Sequence, residues 1–597
     1  MLNTFKTDEL SPALTILCAE EPSASDTNIE NLGQFMGIHS RTLPITDASG
    51  VLASVERSSC TICSANTVSH LWQTPGGGQR AWERILDRTR LLLIYGFDRS
   101  GPGRWIAAQV TASQIRDVHP LVRTDHGYEV SFSQPEITGV FSGLSFGQAQ
   151  KESDFTFVND ETQPKGSTLI TIDGLPFFIW FQRGRSTIFL LACREVLDLR
   201  QKTSRTVTVN ETFSRLLPVA MFLRFAVGKK GWHSERRLAN FIIDDPLLTP
   251  SYGFLNYRDL AAKLNEANCA ASIAFIPWNH KRTDAAVARL FREHREQLSL
   301  CVHGCDHTHA EFADTDYALL NAKVRLASQR MQLHEKLTGI PCSEVMVFPQ
   351  GQFSIESLKV LQANNYLASV NSGPLPANRD QRDQLTVEDF LHPAITKYAG
   401  VPLFLRRYPE RIEQCAFDLF WGKPLLFVEH HSYFRDNFAK FISFIARLSS
   451  LSGDLQWCSL SEVVSNAHRE RDISADETLF SMYASTQVVE NHRPAERTFL
   501  LLKSKPANDV EVDQVLVNGH ASPFAIRRSC VELVVRVPAN SSVTVKVVHK
   551  NAFPSGASRR TFVEKSHIWT RRMLSEIRDN TLLAQARIGV KKWAPGR

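Results

Sequence analysis

The chain has 597 residues, of which 43% are hydrophobic and 22% are charged. This composition is typical of globular proteins and excludes a disordered or fibrous chain. The net charge of +6 comes mainly from residues 551–597, where ten Lys and Arg face three Asp and Glu. The rest of the chain is nearly neutral, so we expect no nucleic-acid partner.

The beginning of the sequence lacks the charged-then-apolar pattern of a secretion signal. No apolar run reaches the roughly 20 residues that span a bilayer. The eleven cysteines show no spacing typical of a disulfide framework, which favours reduced thiols. We therefore expect a cytoplasmic protein, with membrane association through its tail as an alternative.

Residues 1–230 alternate strand-like and helix-like stretches, which predicts an open, mainly parallel sheet. Apolar runs at 168–172 and 186–193 are expected to pair with each other around Gly184. The region weakly resembles flavodoxin-like or glutamine-amidotransferase-like α/β domains. It has no recognisable nucleophile turn, and we assign it no catalytic role.

Residues 231–472 contain at least six apolar strand candidates separated by helical patterns, which predicts a distorted β/α barrel. Reacting groups of such barrels collect on the loops that follow the strands. One apolar run ends on Asp244 and Asp245, and another leads to His303 and His307. We therefore expect these side chains to lie near each other.

Two adjacent carboxylates at the end of a buried strand are costly unless a cation or a proton stabilises them. One carboxylate and two histidines form a common zinc ligand set that leaves one position open. The second carboxylate is then placed to act as a general base.

Residues 473–550 read as short alternating strands with turn signals, which predicts a small β-sandwich. Residues 551–597 form a basic tail with a helix candidate at 571–580. We expect this helix to dock on its own protein, with an anionic membrane or another protein as alternative partners.

The segment that carries the paired aspartates and histidines resembles the polysaccharide deacetylase (NodB-homology) family. Asp244-Asp245 matches the family's first motif, and the spacing of His303 and His307 matches its second. Residues 348–351 keep the proline and glycine of a third motif, but Val347 stands where the family has an arginine.

The resemblance implies a deacetylase that uses a divalent metal, most plausibly zinc, with cobalt or nickel as alternatives. The implied metal ligands are Asp245, His303 and His307. Asp244 would be the base that activates water, and His430 or His431 would protonate the leaving group.

Either Arg406 or Arg407 could replace the missing motif arginine from elsewhere in the barrel. Backbone N–H groups near Gln350 and Gly351 could help to hold the oxyanion. The candidate substrate-binding residues are Pro349, Gln350, Gly351, Trp278, Arg406 and Arg407.

The predicted function is removal of an N-acetyl or O-acetyl group from a saccharide or sugar conjugate by metal-activated water. Two alternatives stay open at this point. One is a catalytically degenerate protein that binds saccharide or serves as a scaffold in polysaccharide synthesis. The other is a metal-dependent amide hydrolase of a small non-sugar metabolite.

Overall fold

The computed structural model describes residues 13–577, with gaps at 47, 75–76, 99–100, 112–114, 122–126, 151, 160–167, 379–383, 507–508, 555–565, 567, 572 and 575. Within these residues, no helix combines the length and the apolar character needed to cross a bilayer. The sheets define a first unit (residues 13–230), a middle unit (231–467) and a sandwich unit (468–549).

The first unit is a mixed α/β structure. Its elements are β1 (Leu14–Cys18), α1 (Ala24–Phe35), β2 (Ser40–Pro44), α2 (Ala48–Arg57), β3 (Cys60–Ser64), α3 (Ala65–Gln73), α4 (Gly78–Arg88), β4 (Leu91–Tyr95), α5 (Gly101–Val110), β5 (Ile115–Pro120), β6 (Tyr128–Val130), α6 (Pro135–Thr138), β7 (Ser145–Phe146), β8 (Phe155–Asn159), β9 (Thr168–Ile172), β10 (Leu175–Arg183), β11 (Ser186–Leu191), β12 (Lys202–Thr203) and α7 (Val209–Val227).

The main sheet of this unit has the order β2-β1-β3-β4-β11-β10-β9-β6-β7. Its first five strands are parallel neighbours, in an order that begins like a flavodoxin sheet. Its other pairings are antiparallel. The prediction of a mainly parallel sheet therefore holds for one half only.

The predicted pairing of 168–172 with 186–193 is wrong. Strand β10 lies between β9 and β11 and pairs with both. The chain reverses at Gly184, whose φ of 59° is open to glycine, so the hairpin joins β10 to β11.

The middle unit alternates strands and helices along the chain. Its elements are β13 (Leu238–Asp244), β14 (Ser251–Tyr252), β15 (Leu255–Asn256), α8 (Tyr257–Glu266), β16 (Ala271–Phe275), α9 (Ala285–Glu293), β17 (Leu298–His303), α10 (Tyr317–Thr338), β18 (Cys342–Val347), α11 (Ile355–Ala363), β19 (Ala368–Asn371), β20 (Leu385–Thr386), α12 (Val387–Leu391), β21 (Leu403–Leu405), α13 (Ile412–Phe420), β22 (Leu425–His430), α14 (Ala439–Leu451), β23 (Gln456–Trp457) and α15 (Leu460–Asn466).

The sheet of the middle unit runs β21-β19-β18-β17-β16-β13-β22, with β23 also on β13, and all its pairings are parallel. Just after β21, Arg407 forms a parallel bridge to Phe427 of β22. The two ends of the sheet therefore meet there, and the curved sheet places the carboxyl ends of its strands together. All seven residues of β13 are buried, as its apolar run predicts.

The sandwich unit has two sheets around an apolar core. Its strands are β24 (His468–Asp472), β25 (Glu477–Met482), β26 (Thr486–Asn491), β27 (Arg497–Ser504), β28 (Val512–Val517), β29 (His520–Ser522), β30 (Ala525–Arg527), β31 (Cys530–Val537) and β32 (Ser541–His549). The first sheet already begins at β24, five residues earlier than the predicted boundary at 473.

The first and middle units share one continuous hydrophobic cluster. Phe141 packs against Phe420 of α13 at 5.8 Å between ring centroids, and Phe35 packs against Trp421 at 5.7 Å. The guanidinium of Arg224 lies 3.9 Å above the ring of Phe420. These contacts fix the first unit against α13.

The described residues of the tail between 566 and 577 are helical. Glu576 forms two hydrogen bonds with Arg282 of the middle unit, at 2.5 and 2.8 Å, and Ile568 is buried. This part of the tail therefore docks on its own chain. Residues 578–597, including the end of the predicted helix, lie outside the described residues.

His334 of α10 makes the stability of the middle unit dependent on pH. It is fully buried, 5.0 Å from the ring of Phe275 and 2.8 Å from the hydroxyl of Thr283. Burial, with a smaller effect of His280, lowers the pKa of His334 to about 4. The unfolded chain, with a pKa of about 6.5, binds this proton first as the pH falls.

We therefore expect the buried, neutral His334 to make its full contribution to the free energy of unfolding above pH about 6.5. This contribution should be lost progressively as the pH falls toward about 4. Between these two pH values, the free energy of unfolding should fall by about 1–3 kcal/mol less in His334→Gln than in the unaltered protein. Denaturant unfolding at several pH values measures it, with the exposed His520→Gln as control. An unchanged pH dependence in His334→Gln would contradict this assignment.

Candidate metal centre

Asp244 ends β13, Asp245 follows it, and both face the same site. Consecutive residues of a regular strand point to opposite faces. The chain departs from this alternation at Asp245, whose φ is 79°. Such a left-handed conformation costs about 1–3 kcal/mol outside glycine and is enriched at functional sites. The turn brings the second carboxylate beside the first.

Two histidines from the end of β17 and its following loop meet Asp245. Nε2 of His303 lies 3.3 Å from Oδ1 of Asp245, and Nε2 of His307 lies 3.0 Å from the same oxygen. Nδ1 of His303 donates to the carbonyl of Val347 at 2.9 Å. This bond orients the ring and leaves Nε2 as a lone-pair donor for a ligand.

A buried carboxylate fixes the loop that carries His307. Glu311 accepts hydrogen bonds from the backbone N–H groups of Cys305, Asp306 and His307 at 3.1, 2.9 and 3.1 Å. Arg330 donates to Asp306 at 2.7 Å. The sequence analysis missed Glu311 and Arg330, because no local pattern indicates that their side chains turn back onto the loop.

Asp244 is paired with the arginine that follows β21. The two terminal nitrogens of Arg406 donate to the two carboxylate oxygens of Asp244 at 2.7 and 2.6 Å, and both side chains are 5% exposed. A bidentate arginine fixes the plane of a carboxylate. Arg406 is therefore the arginine that contacts Asp244. From the sequence alone, Arg406 and Arg407 were equal candidates for this contact.

The site keeps both aspartates ionised. Burial raises the pKa of Asp244, but Arg406 and His303 outweigh it and leave the pKa below its ordinary value. Burial likewise raises the pKa of Asp245, whereas His303 and His307 hold it well below the ordinary value. Burial lowers the pKa of His303, and the two carboxylates raise it above the ordinary value.

The arrangement of Asp245, His303 and His307 fits a divalent metal ion. One ligand atom from each lies within 4.8 Å of the others. Oδ1 of Asp245 is buried and has no hydrogen-bond partner, although two imidazole nitrogens approach it. A divalent cation would satisfy the acceptor atoms gathered here, and two histidines with one carboxylate form a ligand set that zinc uses.

The two histidines at the end of β22 have different surroundings. His430 pairs with Asp244 in the strand register, and its Nε2 lies 4.0 Å from Oδ2 of Asp245 with the side chain 47% exposed. His431 instead lies parallel to the ring of Phe254 at 6.1 Å, with an interplanar angle of 18°. The structure thus brings His430, and not His431, to Asp245.

The segment after β18 lines the same end of the sheet. Gln350 accepts a hydrogen bond from the backbone of Ala310 at 3.4 Å, and the carbonyl of Gly351 accepts one from Asn371 at 2.9 Å. Pro349 approaches Gly304 so closely that a Cβ atom added to Gly304 would lie 2.4 Å from the Cγ atom of Pro349. Glycine at 304 therefore lets the two loops meet.

Two further candidates, Trp278 and Arg407, have neighbours of their own. Trp278, after β16, is half-buried, and the guanidinium of Arg330 lies 5.3 Å from its ring. Arg407 donates two hydrogen bonds to the buried Asp418, at 2.5 and 3.1 Å. His309 is exposed, as expected for a residue outside the ligand set.

No family model matches the chain, and no curated protein matches it. Solved structures do match. The carbohydrate deacetylase Agd3 is 9% identical with a TM-score of 0.48, over 90% of this chain and 98% of its own. A family 4 carbohydrate esterase from Streptomyces lividans, in complex with acetate, is 13% identical with a TM-score of 0.23, over 38% and 93%.

A family 4 acetyl xylan esterase from Clostridium thermocellum, in complex with a cobalt ion, is also 13% identical, with a TM-score of 0.24 over 38% of this chain and 90% of its own. The matching structures thus include carbohydrate deacetylases, the group that the sequence resembles.

His303→Ala should abolish high-affinity metal binding at this centre, because it removes a buried ligand that Val347 orients. Zinc and cobalt binding by the purified protein, measured by equilibrium dialysis, tests this. The exposed His309→Ala is the matched control and should bind like the unaltered protein. The same number of bound equivalents in His303→Ala as in the unaltered protein would contradict the ligand assignment.

Arg406→Met should destabilise the protein by about 3–5 kcal/mol, because it leaves the buried carboxylate of Asp244 without its partner. The double variant Arg406→Met/Asp244→Asn should recover part of this loss, since it buries no unpaired charge. Denaturant unfolding of the four proteins gives the coupling. Additive effects of the two changes would contradict a direct interaction.

Proposed function

We propose that this protein is a metal-dependent hydrolase that removes an acetyl group from a saccharide or sugar conjugate. The observation that carries the proposal is the convergence of Asp245, His303 and His307 beside Asp244, which Arg406 holds. Three ligands for a metal, one open position and an adjacent carboxylate are what hydrolysis of an amide or ester needs.

A bound divalent ion would supply a Lewis acid that polarises the acetyl carbonyl and acidifies water. Asp244 takes a proton from the attacking water as its oxygen bonds to the carbonyl carbon. Arg406 is a positioning residue, because both of its terminal nitrogens donate to Asp244 and so fix the plane of the base. Its charge also keeps Asp244 ionised and ready to accept the proton.

His430 donates a proton to the leaving nitrogen or oxygen when the bond to the carbonyl carbon breaks, so that acetate and the free amine or alcohol result. Its position level with Asp244 and its partial exposure suit contact with both substrate and solvent. An amine leaves poorly without protonation, so this step matters most for N-acetyl substrates.

Aromatic side chains at the same end of the sheet support a sugar as substrate. Trp278 follows β16, and Tyr408, 54% exposed, follows Arg406 and Arg407 after β21. Flat rings of this kind offer apolar faces that can cover a sugar ring. We propose that they flank the acetylated unit.

Asp244→Asn should reduce acetate release from N-acetylated oligosaccharides by about 10²–10⁴-fold. It should still bind the metal, because Asp245 and both histidines remain. Acetate release and metal content of the same preparation are the two measurements. Turnover within a few-fold of the unaltered protein would show that Asp244 is not the base.

His430→Ala should lower kcat on an N-acetylated sugar far more than on an aryl acetate, whose leaving group needs no proton. His309→Ala is again the control and should affect neither substrate. Equal losses on both substrates would assign His430 to a step other than protonation of the leaving group.

A further inference from the structure

A second group of metal-type ligands lies where the sandwich unit meets the chain entering β13. The backbones of His233 and Glu470 pair through two hydrogen bonds, at 2.9 and 2.8 Å. Nε2 of His233 lies 3.4 Å from a carboxylate oxygen of Glu235 and 3.6 Å from one of Glu470. One ligand atom from each residue lies within 4.8 Å of the others.

The orientation of His233 is that of a metal ligand. Its Nδ1 lies 3.0 Å from the carbonyl oxygen of Gly231, which can only accept a hydrogen bond. Nδ1 therefore carries the proton, and in the neutral ring the lone pair of Nε2 faces two carboxylates. This Nε2 is buried and has no hydrogen-bond partner. In metal sites, the ring nitrogen of a ligating histidine that does not bind the metal commonly donates a hydrogen bond to a backbone carbonyl.

A second histidine repeats this orientation from β24. Nδ1 of His468 donates to the carbonyl of Asn466 at 2.7 Å, and its Nε2 lies 4.0 Å from the other oxygen of Glu470. The residue is only 8% exposed. The Nε2 atoms of two imidazoles thus lie near the two oxygens of one carboxylate, an arrangement that a cation among these groups would stabilise.

The group is reachable from solvent. Glu235, Glu470 and His468 line a cavity of about 270 Å³ between the middle and sandwich units, together with Arg236, Glu490 and His492. The ammonium of Lys229 contacts the Glu235 oxygen that faces His233, but this side chain is 60% exposed. It can swing into solvent when a cation enters.

We propose that His233, Glu235 and Glu470 bind a divalent cation of the zinc type, with His468 beside them. Imidazole nitrogens and carboxylate oxygens are both ligands that zinc accepts. Bound there, the ion connects the chain entering β13 to the first sheet of the sandwich unit. The proposal does not depend on the function proposed above, because it uses none of the same residues.

The test uses the full chain in a His303→Ala/His307→Ala background, which lacks the first centre. Zinc and cobalt binding are measured by equilibrium dialysis. One equivalent should remain in this background, and adding His233→Gln should remove it. Adding Glu235→Gln, a change at an exposed position, should weaken binding at least tenfold. His492→Gln at the cavity wall is the control and should keep the equivalent.

The unaltered protein gives an independent measurement if the background variant folds poorly. It should bind two equivalents, and His233→Gln should bind one and show a smaller increase in Tm on addition of zinc, because only the first centre remains to stabilise it. Absence of a second equivalent, or one that survives His233→Gln, would overturn the proposal. The residues would then form an imidazolium–carboxylate ion pair, and the centre at Asp245 would be unaffected.

Discussion

The buried ion pair between Arg406 and Asp244 is the interaction on which the candidate centre depends. It joins the end of β13 to the segment after β21, two places on the sheet that share no backbone pairing. A buried charge without its partner is strongly unfavourable. The pair therefore holds the first carboxylate in one orientation, while the second carboxylate, Asp245, faces His303 and His307.

The division of roles between two adjacent aspartates follows from the backbone. A regular strand would direct Asp244 and Asp245 to opposite faces, and the left-handed turn at Asp245 prevents this. His307, also at positive φ, is held by the carboxylate of Glu311 through its loop. Two strained positions thus serve one site, each stabilised by a separate buried charge.

The sequence predicted the parts of the site that lie at strand ends. Apolar runs that end on Asp244-Asp245 and lead to His303 indicated buried parallel strands, whose carboxyl ends meet. It left Arg406 and Arg407 equivalent, because only the fold shows that one contacts Asp244 and the other Asp418. Glu311 and strand β10 were missed for a similar reason. The partners of Glu311 are backbone groups, which no sequence pattern indicates. Strand β10 is recognised only from its pairing with β9 and β11.

The shared hydrophobic cluster of the first and middle units bears on how the protein can be divided. Phe35 and Phe141 reach the aromatic residues at the end of α13, which itself leads into β22 and His430. A fragment cut near residue 230 would expose this aromatic seam to water and loosen the strand that carries His430. The leading third of the chain thereby supports, through α13, the strand on the far side of the centre that carries His430.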